Sequence, residues 1–345
     1  MSDRAGGRSA ARCPWSAWSH DHGGTEERGD GVRGCDAGRS GWPRTAKLLE
    51  KLDAATPWET LAAPIRALDE YNNPGAGNPP WCPVLMLKGL MLAKWFNLSD
   101  PGVEEALRDR ISFRRFLGLS FTDKTTDETT FVKFRARLRE AEIHDAVFDA
   151  VVKHIERKGL LVKQGTMVDA TIIEAPRGRP RPDGTTTRDQ DASFTSKHGV
   201  PHHGYKGHTA ADLSGIVTDY RFGTAKVHDS NHIDDLTMHE KTLSLADSAH
   251  SKDQRRAELR ARGVIDGIIS KRKRKRNQSK LYDWQERWNG LVAPLRARVE
   301  HPNAMMKQQL GSRRVRYRGR ERNAFDFALI LPACNIKRSL SLKPG

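Results

Sequence analysis

The chain has 345 residues, 37% of them hydrophobic and 30% charged, and it carries a formal net charge of +16. These values are typical of a soluble globular protein that is long enough for two domains with cores of their own. No segment approaches the roughly 18 continuous apolar residues of a membrane helix, and the N-terminus lacks the apolar core of a signal peptide, so we expect a cytoplasmic protein with no membrane partner.

The N-terminal half divides into two parts. Residues 1–45 are rich in Gly, Arg, Ser and Asp without a helical or strand period, and they are predicted to form a disordered extension. Residues 46–160 have helical periodicity, as in "PVLMLKGLMLAKWFNL" and "FVKFRARLREA", and are predicted to form a compact helical domain. Within it, Asp100 is a candidate N-cap, with Pro101 at the first helical position.

After Leu160 the period changes from helix to strand. "GTMVDATII" is a β-branched strand interrupted by Asp169, and "HHGYKGHTAAD" and "GIVTDYRFGTA" are predicted to be two strands joined at "LSG". A short helix, a strand ending at Asp247, an amphipathic helix and the strand "VIDGIIS" follow. This order predicts an α/β fold in which a mixed sheet is covered by helices.

A long helical segment from Leu281 to Leu310 follows the last predicted strand. It contains Gly290 and Pro294, and because proline does not fit inside a regular helix, we expect a kink or a restart there. Pro294 is predicted to lie in the first turn of the helix that carries Glu300.

Three acids occupy positions that suit a metal site. Asp169 lies inside an apolar strand, Asp247 ends another strand, and Glu300 lies on the helix after the sheet. Buried carboxylates on neighbouring strands repel each other unless a cation, which prefers oxygen ligands, lies between them. Alternatively, Asp169 caps a turn and Asp247 faces solvent. Asp229 is a possible substitute for Asp247.

Glu300 is flanked on its helix by two cations. Arg296 lies four residues before Glu300 and Lys307 seven residues after it, so all three share one helix face. The stripe either forms ordinary surface ion pairs, worth about 0.2–0.5 kcal/mol each, or places a metal ligand between two phosphate-binding cations. The stretch "HHGYKGH", with Tyr205, Lys206 and His208, is a weaker metal candidate because strand alternation separates neighbouring histidines.

The excess positive charge lies in the last quarter of the chain. Residues 251–345 contain 25 Lys and Arg against 8 Asp and Glu, and the rest of the chain is nearly neutral. Two basic clusters favour a nucleic-acid partner over a solvated surface or a localisation signal. The candidate DNA-binding residues in these clusters are Lys271, Arg272, Lys273, Arg274, Lys275, Arg276, Arg313, Arg314, Arg316 and Arg318.

The chain from about Asn78 to Arg338 resembles the DDE transposases of bacterial insertion sequences, in particular the insertion-sequence-five group. "LMLKGLMLAKWFNLSD" and "EALRDRISFRRFLGL" are similar to the N-terminal helical domain of that family. "GTMVDATIIEAP" and "LADSA" are similar to the motifs of its first and second catalytic Asp, and "RARVEHPNAMMK" fits its signature of Arg, three residues, Glu, six residues and Lys. "RRVRYRG" and "NIKRSL" resemble its C-terminal stretches.

The resemblance implies a function and a set of residues. It implies a ribonuclease-H-like catalytic domain over residues 161–340, with a basic C-terminal segment, and a helical domain over 46–160 for recognition of DNA ends or dimerisation. It implies Asp169, Asp247 and Glu300 as catalytic residues and ligands of Mg²⁺, with Mn²⁺ as a substitute, and Arg296 and Lys307 as DNA-binding residues. The partners implied are the terminal inverted repeats and target DNA, bound by a homodimer in the bacterial nucleoid.

The sequence also departs from the family pattern at three places. Ala293 replaces the usual Tyr before Arg296, His250 replaces an aromatic residue after Asp247, and "HPNAMM" replaces an aromatic, Gly-containing turn after Glu300. Two alternatives to an active transposase therefore stay open. One is a catalytically inactive remnant that only binds DNA, and the other is a ribonuclease-H-like DNA nuclease.

Overall fold

The computed structural model describes residues 43–343 except 73–79, 180, 184, 198, 228–231 and 271–282. The predicted N-terminal extension therefore lies almost entirely outside the described residues, and the first helix already begins at Arg44. The first part of the described chain is helical. Its helices are α1 (Arg44–Ala55), α2 (Trp58–Arg66), α3 (Asp69–Asn72), α4 (Pro83–Trp95), α5 (Asp100–Asp109), α6 (Ile111–Leu117), α7 (Glu128–Glu140) and α8 (Ile143–Arg157).

The N-terminus of α5 differs by one residue from the prediction. Ser99 is the N-cap, because its Oγ accepts a hydrogen bond from the Gly102 N–H at 3.2 Å, whereas Asp100 is the first helical residue. The Asp100 carboxylate instead forms an ion pair with Arg135 of α7. Serine and aspartate are about equally good caps, so the sequence alone does not decide between them.

Gly89 allows α4 and α7 to approach closely. A Cβ at this position would lie 2.3 Å from Cε1 of the buried Phe131, so we expect Gly89→Ala to lower the free energy of unfolding by about 1–3 kcal/mol through overpacking. Urea unfolding checks this. Gly290→Ala is the matched control, because nothing lies within 4 Å of a Cβ there, and it is expected to stabilise the helix by about 0.5–1 kcal/mol. Equal effects of the two changes would contradict this packing.

A six-stranded mixed sheet with helices on both faces follows, as predicted for the fold class. The strands are β1 (Thr166–Glu174), β2 (Ser193–Lys197), β3 (Val200–Asp212), β4 (Val217–Thr224), β5 (Leu243–Ala246) and β6 (Ile265–Ile268). Their order is β2-β3-β1-β5-β6, and β4 also pairs with β3. The pairs among β1–β4 are antiparallel, and the β1–β5 and β5–β6 pairs are parallel. The prediction missed β2.

The later helices are α9 (Ile233–Thr237), α10 (Asp253–Ala261), α11 (Asp283–Arg296), α12 (Glu300–Gln308) and α13 (Arg320–Ser339). They cover the two faces of the sheet. One face, which includes Val168, packs against α9 and α10. The other face includes Met167 and Leu245 and packs against Val292 of α11.

The last helix that the structure describes, α13, is buried along its middle. Its side chains from Phe325 to Ile336 are all buried, and they join the same apolar core as the N-terminal helices. Asn335 fixes it to the sheet, because its amide exchanges two hydrogen bonds, of 2.9 and 2.8 Å, with the backbone of Val217. Along the described chain, no helix is long and apolar enough to cross a membrane.

The predicted helical segment from Leu281 to Leu310 is interrupted, but not at Pro294. Pro294 lies inside α11, and the break is a 3-10 turn at Ala297–Val299, after which α12 begins at Glu300. Proline is tolerated there because the carbonyl that loses its partner belongs to Gly290, which is exposed and open to water. The prediction of Pro294 in the first turn of the Glu300 helix is therefore wrong.

Candidate active site

The first two predicted acids lie on neighbouring parallel strands, Asp169 within β1 and Asp247 directly after β5. Met167 of β1 pairs with Leu245 of β5, and Asp169 and Asp247 each lie two residues further along. Because side chains alternate along a strand, both acids share the sheet face of Met167 and Leu245, which α11 covers. The parallel pairing thus brings together two acids that are far apart in the sequence.

Asp169 is partly buried and held by two hydrogen bonds. Its Oδ1 accepts from the Ala170 N–H at 2.9 Å, and its Oδ2 accepts from Nδ2 of Asn303 at 2.8 Å. Burial raises the pKa of Asp169 above its usual value, the two hydrogen bonds and Arg296 oppose this, and Asp247 adds to it. The carboxylate is therefore a desolvated anion with a second anion and a cation in electrostatic range.

Asp247 follows directly after β5 and begins a tight turn. The buried His250, which stands where an aromatic residue was expected, places its Nε2 3.6 Å from Oδ1 of Asp247. This imidazole is thus close enough to stabilise the carboxylate when protonated, but too far for a direct hydrogen bond.

Glu300, the third predicted acid, lies in a different environment. It is the first residue of α12 and its side chain is exposed. Within the described ranges, no group of three or more His, Cys, Asp or Glu side chains is arranged to hold a metal ion. The structure thus brings Asp169 and Asp247 together and leaves Glu300 outside such a group.

The predicted cations Arg296 and Lys307 both lie near Asp169. The charge of Arg296 lowers the pKa of Asp169. Burial lowers the pKa of Lys307, the nearby Lys197 and Arg313 lower it further, and Asp169 opposes them. Crowding of like charges around one carboxylate favours a bound anion such as a phosphate.

The C-terminal basic cluster is fixed to the end of β1. The Glu174 N–H donates to the Arg313 carbonyl at 3.0 Å, and the Val315 N–H donates to the Glu174 carbonyl at 2.9 Å. Arg313, Arg314 and Arg318 are exposed there. Arg316 differs, because its guanidinium donates to the Leu98 carbonyl and to Oδ1 of Asn97. The other cluster, Lys271–Arg276, and the alternative acid Asp229 lie outside the described residues.

The weaker metal candidate in β3 is used for structure instead. The Tyr205 hydroxyl donates to Oδ2 of Asp189 at 2.9 Å, and Nζ of Lys206 donates to the Val227 carbonyl at 3.0 Å. The His208 ring contacts that of His232, with centroids 4.7 Å apart. These contacts give Tyr205, Lys206 and His208 partners within the fold.

Sequence reasoning missed Asn303 and Lys197. Asn303 lies in the segment "HPNAMM" that departs from the family pattern, and its contact with Asp169 spans 134 residues. Lys197 ends β2, a strand that was not predicted. The signal that could have found Asn303 is its spacing, because it follows Glu300 by three residues and precedes Lys307 by four, on one helix face.

The donor atoms beside Asp169 fit a divalent cation. Asp169 and Asp247 supply carboxylates on one sheet face. Two further buried oxygens, Oδ1 of Asn303 and Oγ1 of Thr209, have no hydrogen-bond partner in the described part of the chain, and Thr209 is the direct cross-strand partner of Asp169. Hard cations bind such carboxylate, carbonyl and hydroxyl oxygens.

Comparisons with known proteins give two family matches and one structural match. Residues 161–336 match the family model described as "Transposase DDE domain", and residues 41–137 match the one described as "Transposase domain (DUF772)". The structural match is the cryo-EM structure of the piggyBac transposase synaptic complex with hairpin DNA. It shares 10% identity, covers 85% of this chain and 73% of that chain, and has a TM-score of 0.44.

Proposed function

This chain belongs to the transposase DDE domain family, and from that premise we propose that it cuts and joins DNA strands at the ends of an insertion sequence of the insertion-sequence-five group. In the first step, water attacks a phosphodiester at the element end and frees a 3′-hydroxyl. In the second step, that hydroxyl attacks a phosphodiester of the target DNA. Both steps are in-line phosphoryl transfers, so catalysis consists mostly of positioning and charge neutralisation.

The proposed catalytic residues are Asp169, Asp247 and Glu300, which would hold Mg²⁺, with Mn²⁺ as a substitute. When bound, such cations activate the attacking oxygen and stabilise the leaving oxygen. Before a cation binds, the Ala170 N–H and the Asn303 amide keep the Asp169 carboxylate in one orientation. Glu300 would join them from the start of α12, the helix that also carries Asn303.

The proposed DNA-binding residues surround the acids. Arg296 and Lys307 would hold the phosphates next to the scissile bond, since both interact electrostatically with Asp169. Charge-assisted hydrogen bonds to phosphate are strong and directional. The exposed Arg313, Arg314 and Arg318, together with the sequence-predicted cluster Lys271–Arg276, would contact the DNA backbone further away, and Arg316 would act mainly by holding this segment to α4 and α5.

The remaining assignments extend the same proposal. Residues 161–340 would form a ribonuclease-H-like catalytic domain, supported by the order of the mixed sheet and by acids on adjacent parallel strands. Residues 46–160 would recognise DNA ends or form the interface of a homodimer on DNA. The protein would then work on the bacterial nucleoid, with terminal inverted repeats and target DNA as partners.

The observation that carries the proposal is the pairing of Asp169 with Asp247. A desolvated Asp169 carboxylate, with the Asp247 carboxylate and the Arg296 and Lys307 cations in electrostatic range, suits metal-assisted phosphoryl transfer better than it suits stability. One observation favours a second candidate. Because the side chain of Glu300 is exposed, a protein that binds DNA ends without cutting them also fits.

The test is strand cleavage and joining on a labelled duplex that carries the terminal repeat next to the gene. We expect cleavage and joining with Mg²⁺ or Mn²⁺ and none with EDTA, because the acids act only with a cation. Glu300→Gln is expected to lower the cleavage rate at least about tenfold. Its matched control is Glu286→Gln, an exposed glutamate on the neighbouring helix α11, which should cleave like wild type.

The other outcomes point to the rival functions. Tight binding without cleavage by the wild type would identify a DNA-binding remnant. Metal-dependent cutting without joining, and without preference for the terminal repeat, would identify a nuclease.

A further inference from the structure

Asn303 occupies the position on α12 that points into the candidate site. It is 7% exposed, whereas Glu300, one turn earlier, is exposed. Residues three and four apart share a helix face, so Asn303 lies between Glu300 and Lys307 on the face that meets Asp169. The buried member of this face is therefore an amide and not the signature carboxylate.

The Asn303 amide already contacts a proposed cation ligand. Its Nδ2 donates to Oδ2 of Asp169 at 2.8 Å, so one half of the amide is satisfied. Its Oδ1 is buried and has no hydrogen-bond partner among the residues that the structure describes. A buried carbonyl without a partner costs free energy and is rare in folded proteins.

The unsatisfied atoms near Asp169 form a group. Oγ1 of Thr209, opposite Asp169 on β3, and Oγ1 of Thr171, two residues along β1, are also buried without a partner in the described chain. Nε of Arg296 is also buried without a hydrogen-bond partner in the described chain. Orphaned polar atoms at one place mark a space that suits a polar ligand and its waters.

We propose that Asn303 donates its Oδ1 as a direct ligand to the divalent cation that Asp169 and Asp247 bind, and this inference rests on the proposed metal-dependent function. A half-turn of the amide exchanges Nδ2 and Oδ1 without changing its shape, so the oxygen can face the cation once the cation replaces the hydrogen bond to Asp169. Carbonyl oxygens suit Mg²⁺ and Mn²⁺. The site thereby gains from α12 an oxygen ligand that carries no negative charge.

The experiment measures Mn²⁺ binding to the full chain without DNA, from the loss of the free Mn²⁺ signal in electron paramagnetic resonance. Asn303→Leu keeps the size of the side chain and removes the oxygen, and it is expected to weaken Mn²⁺ binding at least about tenfold. The matched control is Gln308→Leu, which removes an exposed amide from the same helix and should leave Mn²⁺ affinity unchanged. Asn303→Asp keeps an oxygen at the same place and should bind Mn²⁺ at least as tightly as wild type.

Two kinds of failure are distinguishable. Loss of binding in Asp169→Asn with unchanged binding in Asn303→Leu would overturn the role of Asn303 and leave the proposed function standing. Equal weakening in Asn303→Leu and Asn303→Asp would assign the effect to the Nδ2 hydrogen bond to Asp169, which both variants lose, and would also overturn the proposal. No Mn²⁺ binding by wild type, or binding that Asp169→Asn leaves unchanged, would overturn both. Thermal unfolding in EDTA establishes that each variant is folded.

Discussion

Replacing Asp169 with Asn is expected to lower the rate of strand cleavage by about a thousandfold or more. The substitution keeps the size of the side chain and leaves one oxygen, which can still accept from the Ala170 N–H, while an amide nitrogen replaces the oxygen that accepts from Asn303. It removes the negative charge that the cation site needs. Bound cations lower the activation barrier of such reactions by several kcal/mol, which corresponds to about a thousandfold in rate. Single-turnover cleavage of the labelled duplex in Mg²⁺ measures the effect.

Binding to the same duplex in EDTA should stay within about threefold of wild type, because the phosphate contacts assigned to Arg296 and Lys307 remain. The matched control is Asp109→Asn, an exposed aspartate at the end of α5, which should cleave at the wild-type rate. Cleavage by Asp169→Asn within tenfold of wild type would remove Asp169 from the catalytic set.

The stability of the Asp169→Asn variant checks the burial of this carboxylate. Burial raises the pKa of Asp169, so the folded protein binds this proton more tightly than the unfolded chain does. The stability that this group contributes is complete below the unfolded carboxyl pKa of about 3.9 and is lost as pH rises through the raised folded pKa. In EDTA, the urea midpoint of the variant minus that of wild type should therefore increase as pH rises from 4 to 7. A constant difference across this range would contradict the burial.

Replacing Asp326 with Asn is expected to lower the free energy of unfolding by about 3–5 kcal/mol. Asp326 of α13 forms a buried ion pair with Lys94 of α4, and the two residues are 7% and 5% exposed. Burial lowers the pKa of Lys94, Asp326 opposes this, and Arg316 and Arg135 lower it further. Without Asp326, the Lys94 ammonium would remain buried among cations. Urea unfolding measures the loss.

Two comparisons make this result specific. The double variant Lys94→Met with Asp326→Leu should recover most of the lost stability, because it leaves no unpaired buried charge. Glu59→Gln breaks the ion pair with Arg66, whose side chains are 65% and 38% exposed, and it should cost less than about 1 kcal/mol. A similar loss of unfolding free energy at both ion pairs would show that burial does not determine how much each pair contributes to stability.

The elements that could be predicted from the sequence are those whose pattern reflects local burial. β1 was recognised because an apolar β-branched run surrounds Asp169, and β5 lies in the stretch "LSLADSA", which was predicted as a strand ending at Asp247. β2, with the sequence "SFTSK", has no apolar alternation and forms only because it pairs with β3. α13 was missed because it is buried on all sides and therefore lacks the polar face that marks an amphipathic helix.

The site, like the fold, could be predicted from the sequence only where it depends on a local pattern. The spacing of Arg296, Glu300 and Lys307 predicted one shared helix face, but Arg296 ends α11 and a 3-10 turn separates it from α12. The spacing also does not tell which residue of α12 is buried. That depends on how α12 docks on the sheet, and the 3-10 turn at Ala297–Val299 sets this docking. The contact between Asn303 and Asp169 joins residues 134 positions apart, and no local pattern encodes it.

The position of α13 after both the N-terminal helices and the sheet has a consequence for synthesis. The ring of Phe327 packs so closely over Gly207 that a Cβ there would lie 2.4 Å from it, and α13 also contributes to the core of the N-terminal helices. The ribosome makes this helix after both of these parts. During translation, the helices and the sheet therefore keep apolar surface uncovered until α13 emerges. Folding of both parts is thus coupled to the synthesis of α13, and fragments ending before Arg320 become substrates for chaperones and proteases.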